Sequence, residues 1–145
     1  RLAHLGLDPF AHRFARAFGH GAGITGARGW AVNAALPPDR VRVWTSGAVG
    51  DADRSIVFVL APWSGQAIAA FQKLTELLAR AAESPPLFVC DIDALSAEVR
   101  SLFGELRGNG ETFWIRDGRI VAALRDFTTD EVTDSVAGNG ELLRS

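Results

Sequence analysis

The segment from residue 55 to residue 67 constrains the fold of this chain more than any other stretch. It reads Ser-Ile-Val-Phe-Val-Leu-Ala-Pro-Trp-Ser-Gly-Gln-Ala. The continuous apolar run from Ile56 to Ala61 is typical of a buried strand. Pro62 and Trp63 interrupt the run, and Ser64 is a favourable N-cap residue for the amphipathic pattern that follows. The segment therefore predicts a central strand, a sharp turn and the start of a long helix.

The long helix is predicted to run from Ser64 to about Glu83. Its apolar face is formed by Ile68, Phe71, Leu74, Leu78 and Ala81. The run Ser84-Pro85-Pro86 ends it, because proline cannot continue a helix. Residues 87–90 then predict a second buried strand. A strand, a helix and a strand at this spacing favour a right-handed crossover between parallel strands.

The chain beyond residue 95 predicts a helix, a hairpin and a last helix. The first of these helices is marked by Leu95, Val99, Leu102, Phe103 and Leu106, and it is expected to end at the glycine-rich run 108–110. Strands at 112–116 and 119–124 are joined by Asp117-Gly118, a strong signal for a two-residue hairpin turn. Thr128 and Glu131 form a capping-box pattern for a last helix that we expect to stop at Gly138.

We divide the chain into an N-terminal extension (1–40), a domain (41–138) and a C-terminal tail (139–145). The extension predicts a helix at about 8–19, in which three phenylalanines share one face, followed by a glycine-rich loop and a short strand at 30–34. The chain is therefore expected to fold as one domain with an extension of its own.

A short strand is also predicted at residues 41–45. Val41, Val43 and Thr45 alternate there with Arg42 and Trp44. This alternation is typical of a half-exposed strand, and it places Trp44 on the same side as Arg42.

Composition and charge exclude several functional classes. The 145 residues carry 15 basic and 17 acidic side chains, a formal net charge of −2, and no basic patch suggests a nucleic-acid partner. No apolar run is long enough for a membrane span. Cys90 is the only cysteine, which excludes an intrachain disulfide, and we expect it to be structural. His4, His12 and His20 do not share a helical face, so no metal site is expected.

The beginning of the chain bears on where the protein acts. It shows no charged-then-apolar signal pattern, so we expect a cytoplasmic rather than a secreted protein. Because the first residue is Arg1 rather than methionine, we also expect that residues of the native N-terminus have been removed.

The segment around Trp63 resembles the central strand and active-site turn of the thioredoxin-like superfamily. In that family a strand, Ala-Pro-Trp and a helix carry Cys-Gly-Pro-Cys at the helix start. Residues 112–121, Thr-Phe-Trp-Ile-Arg-Asp-Gly-Arg-Ile-Val, resemble the closing hairpin of the family, in which threonine leads into an Asp-Gly or Asn-Gly turn. The resemblance implies an α/β thioredoxin-like fold over residues 55–138, with a central mixed β-sheet flanked by helices. The first forty residues depart from the family pattern.

The four motif positions here read Ser64, Gly65, Gln66 and Ala67, so both cysteines are missing. Thiol–disulfide exchange requires a thiolate of lowered pKa and a second thiol that resolves the mixed disulfide. A serine hydroxyl cannot be the redox nucleophile, and alanine resolves nothing. We therefore expect a redox-inactive, non-enzymatic member of the superfamily, with no catalytic residue and no cofactor.

Two further positions depart from the family. By register, Phe58 stands where thioredoxins carry a buried acid that serves proton transfer. Glu111 takes the place of the family's cis-proline, which shapes the substrate groove. A cis bond before a residue other than proline costs about 3–4 kcal/mol. We therefore expect a trans peptide bond before Glu111 and a reshaped groove.

The resemblance favours a protein-binding, chaperone-like or regulatory module whose partner is another protein. The candidate contact groove consists of Trp63, Ser64, Gln66, Glu111 and Thr112. One alternative is a thiol–disulfide oxidoreductase, in which Ser64 and Ala67 are engineered replacements in a Cys-Gly-Gln-Cys site. Another is a small anion or nucleotide binder that uses the helix start at Ser64 or the glycine-rich loop 19–29. The G-x-G-x-x-G pattern in that loop lacks the preceding strand of a dinucleotide site.

Overall fold

The computed structural model describes residues 36, 40–44, 53–81, 83–128 and 131–144 of the chain. The predicted helix at about 8–19, the glycine-rich loop and the strand at 30–34 lie outside the described residues. These features of the N-terminal extension therefore stay predictions.

Five strands and three helices lie within the described ranges. The strands are β1 (Val41–Val43), β2 (Ser55–Leu60), β3 (Leu87–Asp91), β4 (Thr112–Arg116) and β5 (Arg119–Leu124). The helices are α1 (Gly65–Arg80), α2 (Ala97–Phe103) and α3 (Val132–Glu141), and a short 3₁₀ turn, Ile92–Ala94, follows β3. Among these residues, no helix is both long and apolar enough to cross a bilayer. From β2 to α3, the order β-α-β-α-β-β-α that the sequence predicts is confirmed.

The strands form one mixed sheet in the spatial order β1-β3-β2-β4-β5. β3 is parallel to both β1 and β2, whereas β4 is antiparallel to β2 and to β5. The helix α1 connects the parallel strands β2 and β3, because a parallel pair cannot be joined by a tight turn. The predicted α/β architecture with a central mixed sheet is confirmed.

The core lies on both faces of the sheet, and β2 is its centre. Every residue of β2 is buried, as the apolar run predicts. On one face the ring of Phe58 contacts Phe71 of α1, with ring centroids 5.2 Å apart. On the other face Phe103 of α2 stacks on Phe113 of β4, with centroids 4.3 Å apart. Aromatic pairs at such distances add to the free energy gained from burial alone.

The end of β1 is more buried than the half-exposed pattern predicted. The strand ends at Val43, and Trp44 is buried although its neighbour Arg42 is exposed. The indole of Trp44 lies 6.1 Å from the ring of Phe103, measured between centroids. The strand register places Arg42 on the same face as Phe113, the face that Phe103 of α2 covers, so Trp44 does lie on the side predicted for it. The contact with Phe103 buries Trp44, and the half-exposed pattern did not predict this burial.

The helix α2 is shorter than predicted. It begins after Ser96, whose hydroxyl accepts a hydrogen bond from the Val99 amide, and it ends at Phe103. Gly104 follows with a φ of 78°, a conformation that glycine adopts at little cost. The prediction that extends this helix through Leu106 is wrong, because the left-handed residue turns the chain away first.

The helix α3 begins and ends later than predicted. Thr128 does not cap it, because the Thr128 hydroxyl and amide both donate to Asp126, at 2.6 and 2.8 Å. These bonds, from the hydroxyl first, lower the pKa of the exposed Asp126 carboxyl. Such local side-chain bonds compete with helix capping. Glu131 precedes the first turn without a side-chain capping bond.

The predicted helix end at Gly138 is also wrong, since α3 continues to Glu141. Glycine within a helix costs only about 1 kcal/mol relative to alanine, so other contacts can outweigh it. Arg54 and Arg116 donate to the carbonyl oxygens of Leu143 and Leu142, at 3.0 and 3.2 Å. These bonds satisfy carbonyl groups beyond the last turn and hold this end of the chain against the sheet.

The hairpin between β4 and β5 is confirmed. Asp117 and Gly118 have φ values of 55° and 73°, the pair of positive angles that a type I′ turn requires. The register shifts between Trp114 and Ile115, which leaves one extra residue on β5.

Candidate functional site

Three segments meet where β2 and β3 end. They are the turn 61–64 before α1, residues 91–93 after β3, and the loop 104–111 between α2 and β4. The turn is closed by a bond from the Ser64 amide to the Ala61 carbonyl, at 2.9 Å. The ends of parallel strands in a sheet with a crossover helix are a common place for binding sites.

Ser64 is a structural hydroxyl at this junction. Its Oγ accepts a hydrogen bond from the Ala67 amide, at 3.2 Å, so the predicted N-cap is confirmed. The same hydroxyl donates to the carbonyl oxygen of Gly108, at 2.6 Å. An N-cap of this kind stabilises a helix by about 1 kcal/mol. The second bond ties the start of α1 to the loop 104–111, and the sequence did not predict it.

The other three motif positions differ in exposure. Gly65 and Gln66 are exposed on the first turn of α1. Ala67 is fully buried and is part of the core. The position that the resemblance assigns to a resolving cysteine is therefore filled by a small apolar side chain that solvent does not reach.

Trp63 is the largest apolar side chain that the described residues leave exposed, with 63% of its surface accessible. Its indole Nε1 donates to the Asp93 carboxylate, at 3.2 Å. Its ring lies directly over the backbone of Gly108, where an added Cβ would come within 2.7 Å of the ring. Gly108 also has a φ of 78°, so glycine suits this position for two reasons. The indole is thus held in one orientation although most of it faces solvent.

Asp91 and Asp93 follow β3 and have different roles. Asp91 caps the short 3₁₀ turn, accepting a bond from the Asp93 amide at 2.9 Å. Asp93 instead orients the Trp63 indole. Trp63 and Asp93 are 30 positions apart in sequence, and the pairing of β2 with β3 brings them together.

Glu111 and Thr112 do not belong to an exposed groove, which corrects the predicted contact surface. Glu111 is only 2% exposed, and Thr112 is fully buried. The Thr112 hydroxyl donates to the Gly110 carbonyl, at 2.9 Å. The peptide bond before Glu111 is trans, as predicted. Both side chains turn inward because their polar atoms find partners within the loop 104–111.

Phe58 is fully buried behind this junction, and its ring packs edge-on against Phe71. The burial predicted for the apolar run Ile56–Ala61 is confirmed at this position. Cys90 is buried beside it, and its thiol donates to the Phe58 carbonyl oxygen, at 3.7 Å. Burial, and then the charge of Asp91, raise the pKa of the Cys90 thiol. The thiol therefore stays protonated at neutral pH and is a poor nucleophile.

A polar pocket of about 310 Å³ lies beside the loop 104–111. It is lined by Glu105, Arg107, Asn109, Glu111 and Arg125. Arg125 donates to the carbonyl oxygens of Phe103 and Glu105, and Arg107 pairs with Glu105 at 3.0 Å. The guanidinium groups of Arg107 and Arg125 thus both bind acceptors within this protein. Within the described ranges, no group of three or more His, Cys, Asp or Glu side chains could hold a metal ion.

No family model matches the sequence, and no curated protein matches it. Solved structures are similar in fold. A reduced thioredoxin pre-protein from Schistosoma mansoni is 15% identical, with a TM-score of 0.54, over 68% of this chain and 97% of the other. A Malassezia sympodialis thioredoxin is 12% identical, with a TM-score of 0.52, over 72% and 95% of the two chains. A poplar thioredoxin h mutant is 21% identical, with a TM-score of 0.51, over 68% and 81%. At these identities the likeness establishes the fold alone.

Proposed function

We propose that this thioredoxin-like domain binds another protein through an exposed surface around Trp63 and does not catalyse thiol–disulfide exchange. We name the exposed residues Trp63, Gly65, Gln66 and Asp93 the Trp63 surface. The observation that carries the proposal is the Trp63 indole, which is mostly exposed and yet held by Asp93 and Gly108.

A tryptophan held in this way is well suited to contact a partner. Tryptophan is enriched among the residues that dominate binding energy at protein interfaces. Immobilising a side chain on association costs about 0.5–1.5 kcal/mol, and most of that cost is already met when the free protein orients the ring. The indole plane then supplies apolar area, and the exposed first turn of α1 supplies polar groups beside it.

The side chains at the positions that thiol–disulfide exchange would use support the absence of redox chemistry. Ser64 binds the helix start and Gly108, Ala67 is buried, and Phe58 stands in place of an acid. The one thiol of the chain, Cys90, is buried and its pKa is raised. A thiolate nucleophile at the helix start is the minimum requirement for exchange.

Trp63→Ala tests the binding surface. We expect the variant to lose a partner captured with the wild-type domain, with affinity for the purified partner reduced about 30-fold, the effect of losing about 2 kcal/mol at an interface. Affinity is measured by calorimetry after mass spectrometry identifies the partner. Leu102→Ala is the matched control, because Leu102 is 58% exposed on α2 and should not change the affinity. Equal affinity of wild type and Trp63→Ala for every captured partner would refute the binding surface.

The redox part of the proposal has its own test. We expect no insulin reduction by the wild type, and we expect the double variant S64C/A67C to stay roughly 100-fold below a thioredoxin, the usual contribution of a general acid–base group. The reason is that Phe58 cannot transfer a proton and Glu111 replaces the proline. Turnover of S64C/A67C near that of a thioredoxin would instead support an oxidoreductase whose cysteines were replaced, and it would leave the binding surface unaffected.

A further inference from the structure

The backbone at Gly108 contacts the Trp63 ring and the Ser64 side chain, and so supports the Trp63 surface. The Trp63 ring lies over Gly108, and the Ser64 hydroxyl donates to the Gly108 carbonyl at 2.6 Å. A displacement of Gly108 would therefore move the indole and release the second bond of Ser64. What holds Gly108 in place also determines the shape of the Trp63 surface.

The side chain of Glu111 binds the backbone on both sides of Gly108. One carboxylate oxygen, Oε2, accepts a hydrogen bond from the Arg107 amide at 2.6 Å. The other, Oε1, accepts one from the Asn109 amide at 3.2 Å. The carboxylate is nearly out of contact with solvent, since Glu111 is only 2% exposed. Bonds from backbone N–H groups to a buried carboxylate are charge-assisted and stronger than bonds to a neutral acceptor.

The main chain of Glu111 is anchored independently of its side chain. Its carbonyl oxygen accepts a bond from the Val59 amide of β2, at 2.9 Å. The carboxylate thus reaches back from a fixed point on the central strand to residues 107 and 109. The loop 104–111 also contains three glycines with positive φ, at 104, 108 and 110, so its own backbone preferences are weak and it depends on such bonds.

We propose that Glu111 is a positioning residue for the Trp63 surface, with its carboxylate holding the loop 104–111 in the shape that supports the indole. The expected effect on partner binding rests on the proposed function. The contacts of Glu111 with the loop do not depend on that function. A buried carboxylate with two backbone donors here takes the position at which thioredoxins carry a proline that shapes their groove.

Glu111→Gln is the decisive variant. The amide side chain is nearly isosteric, but its NH₂ group would face one of the two backbone N–H donors, so one bond is lost and a buried donor is left without an acceptor. We expect amide hydrogen exchange at Arg107 and Asn109 to accelerate about tenfold or more. We also expect the indole N–H resonance of Trp63 to shift, its assignment made with Trp63→Phe.

Glu105→Gln is the matched control in the same loop. The Glu105 side chain is 71% exposed and contacts the Arg107 guanidinium rather than backbone amides. We expect it to change neither amide exchange at residues 107 and 109 nor the Trp63 resonance. A purely structural loss of stability would leave the Trp63 signal of the folded state where it is, so a shift specific to Glu111→Gln marks positioning.

The outcomes separate this inference from the proposed function. Unchanged exchange at Arg107 and Asn109 in Glu111→Gln overturns the positioning role, whatever partner the domain binds. Faster exchange, a shifted Trp63 resonance and about tenfold weaker partner binding support it. Faster exchange with an unshifted Trp63 resonance overturns it as well. If Glu111→Gln does not fold, wild-type exchange decides, because unprotected Arg107 and Asn109 amides contradict the two bonds.

Discussion

Phe58→Asp is expected to unfold the domain. Phe58 is fully buried in β2, between the paired strands β3 and β4, and its ring contacts Phe71. Truncating a buried phenylalanine costs about 3–5 kcal/mol, and a buried carboxylate without a partner adds several more. The sum of about 5 kcal/mol or more is comparable with the whole stability of a small domain. The result is of interest because the resemblance to thioredoxins assigns a buried acid to this position.

Chemical denaturation monitored by circular dichroism measures the effect. Phe58→Leu is the control, and we expect it to cost about 1–3 kcal/mol, since it shortens an apolar side chain without introducing a charge. A folded Phe58→Asp variant that is destabilised by less than about 2 kcal/mol would contradict the prediction. It would show that the interior behind the Trp63 turn can accept an ionisable group.

Gly110→Ala has the second large expected effect, a destabilisation of about 2–5 kcal/mol. Gly110 has a φ of 82°, and a left-handed conformation costs an alanine about 1–2 kcal/mol. In addition, the new Cβ would clash with the Cβ of Ala70 and would lie 3.2 Å from the Phe58 ring. Overpacking a core typically costs about 1–3 kcal/mol. Ala70 cannot move out of the way by changing rotamer, because its Cβ is fixed to the backbone of α1.

Gly118→Ala separates the cost of the positive φ from the cost of the close contact with Ala70. Gly118 has a similar φ, 73°, but an added Cβ there would meet nothing within 4 Å. We expect the turn variant to lose only the conformational part, about 1–2 kcal/mol. The difference in unfolding free energy between the two variants then measures the contact of the loop 104–111 with α1. Equal losses in both variants would mean that Gly110 does not pack closely against Ala70.

The fold from β2 onward follows from local patterns in the sequence. The apolar run of β2, the N-cap at Ser64, the prolines after α1 and the Asp117-Gly118 turn each specify a local conformation, and all of them agree. The errors lie where a tertiary contact outweighs such a signal. Trp44 packs on Phe103, and two arginines hold the end of α3 beyond its glycines.

The candidate site was predicted only in part. Residues 63 to 67 are consecutive, so one motif identifies them together. The partners that give them their roles come from distant segments, and no pattern in the sequence relates Trp63 to Asp93 or Ser64 to Gly108. Glu111 was placed in an exposed groove because the family's proline faces that groove.

The sequence by itself determined the order of elements from β2 onward, because apolar periodicity, caps and turn residues act over a few positions. Only the tertiary structure decided that Trp63 is exposed yet held, that Glu111 is buried, and that its carboxylate binds the backbone around Gly108. The physical reason is that burial and hydrogen bonding depend on which strands lie side by side. That pairing brings together residues far apart in the chain, and it alone decides which polar atoms find partners.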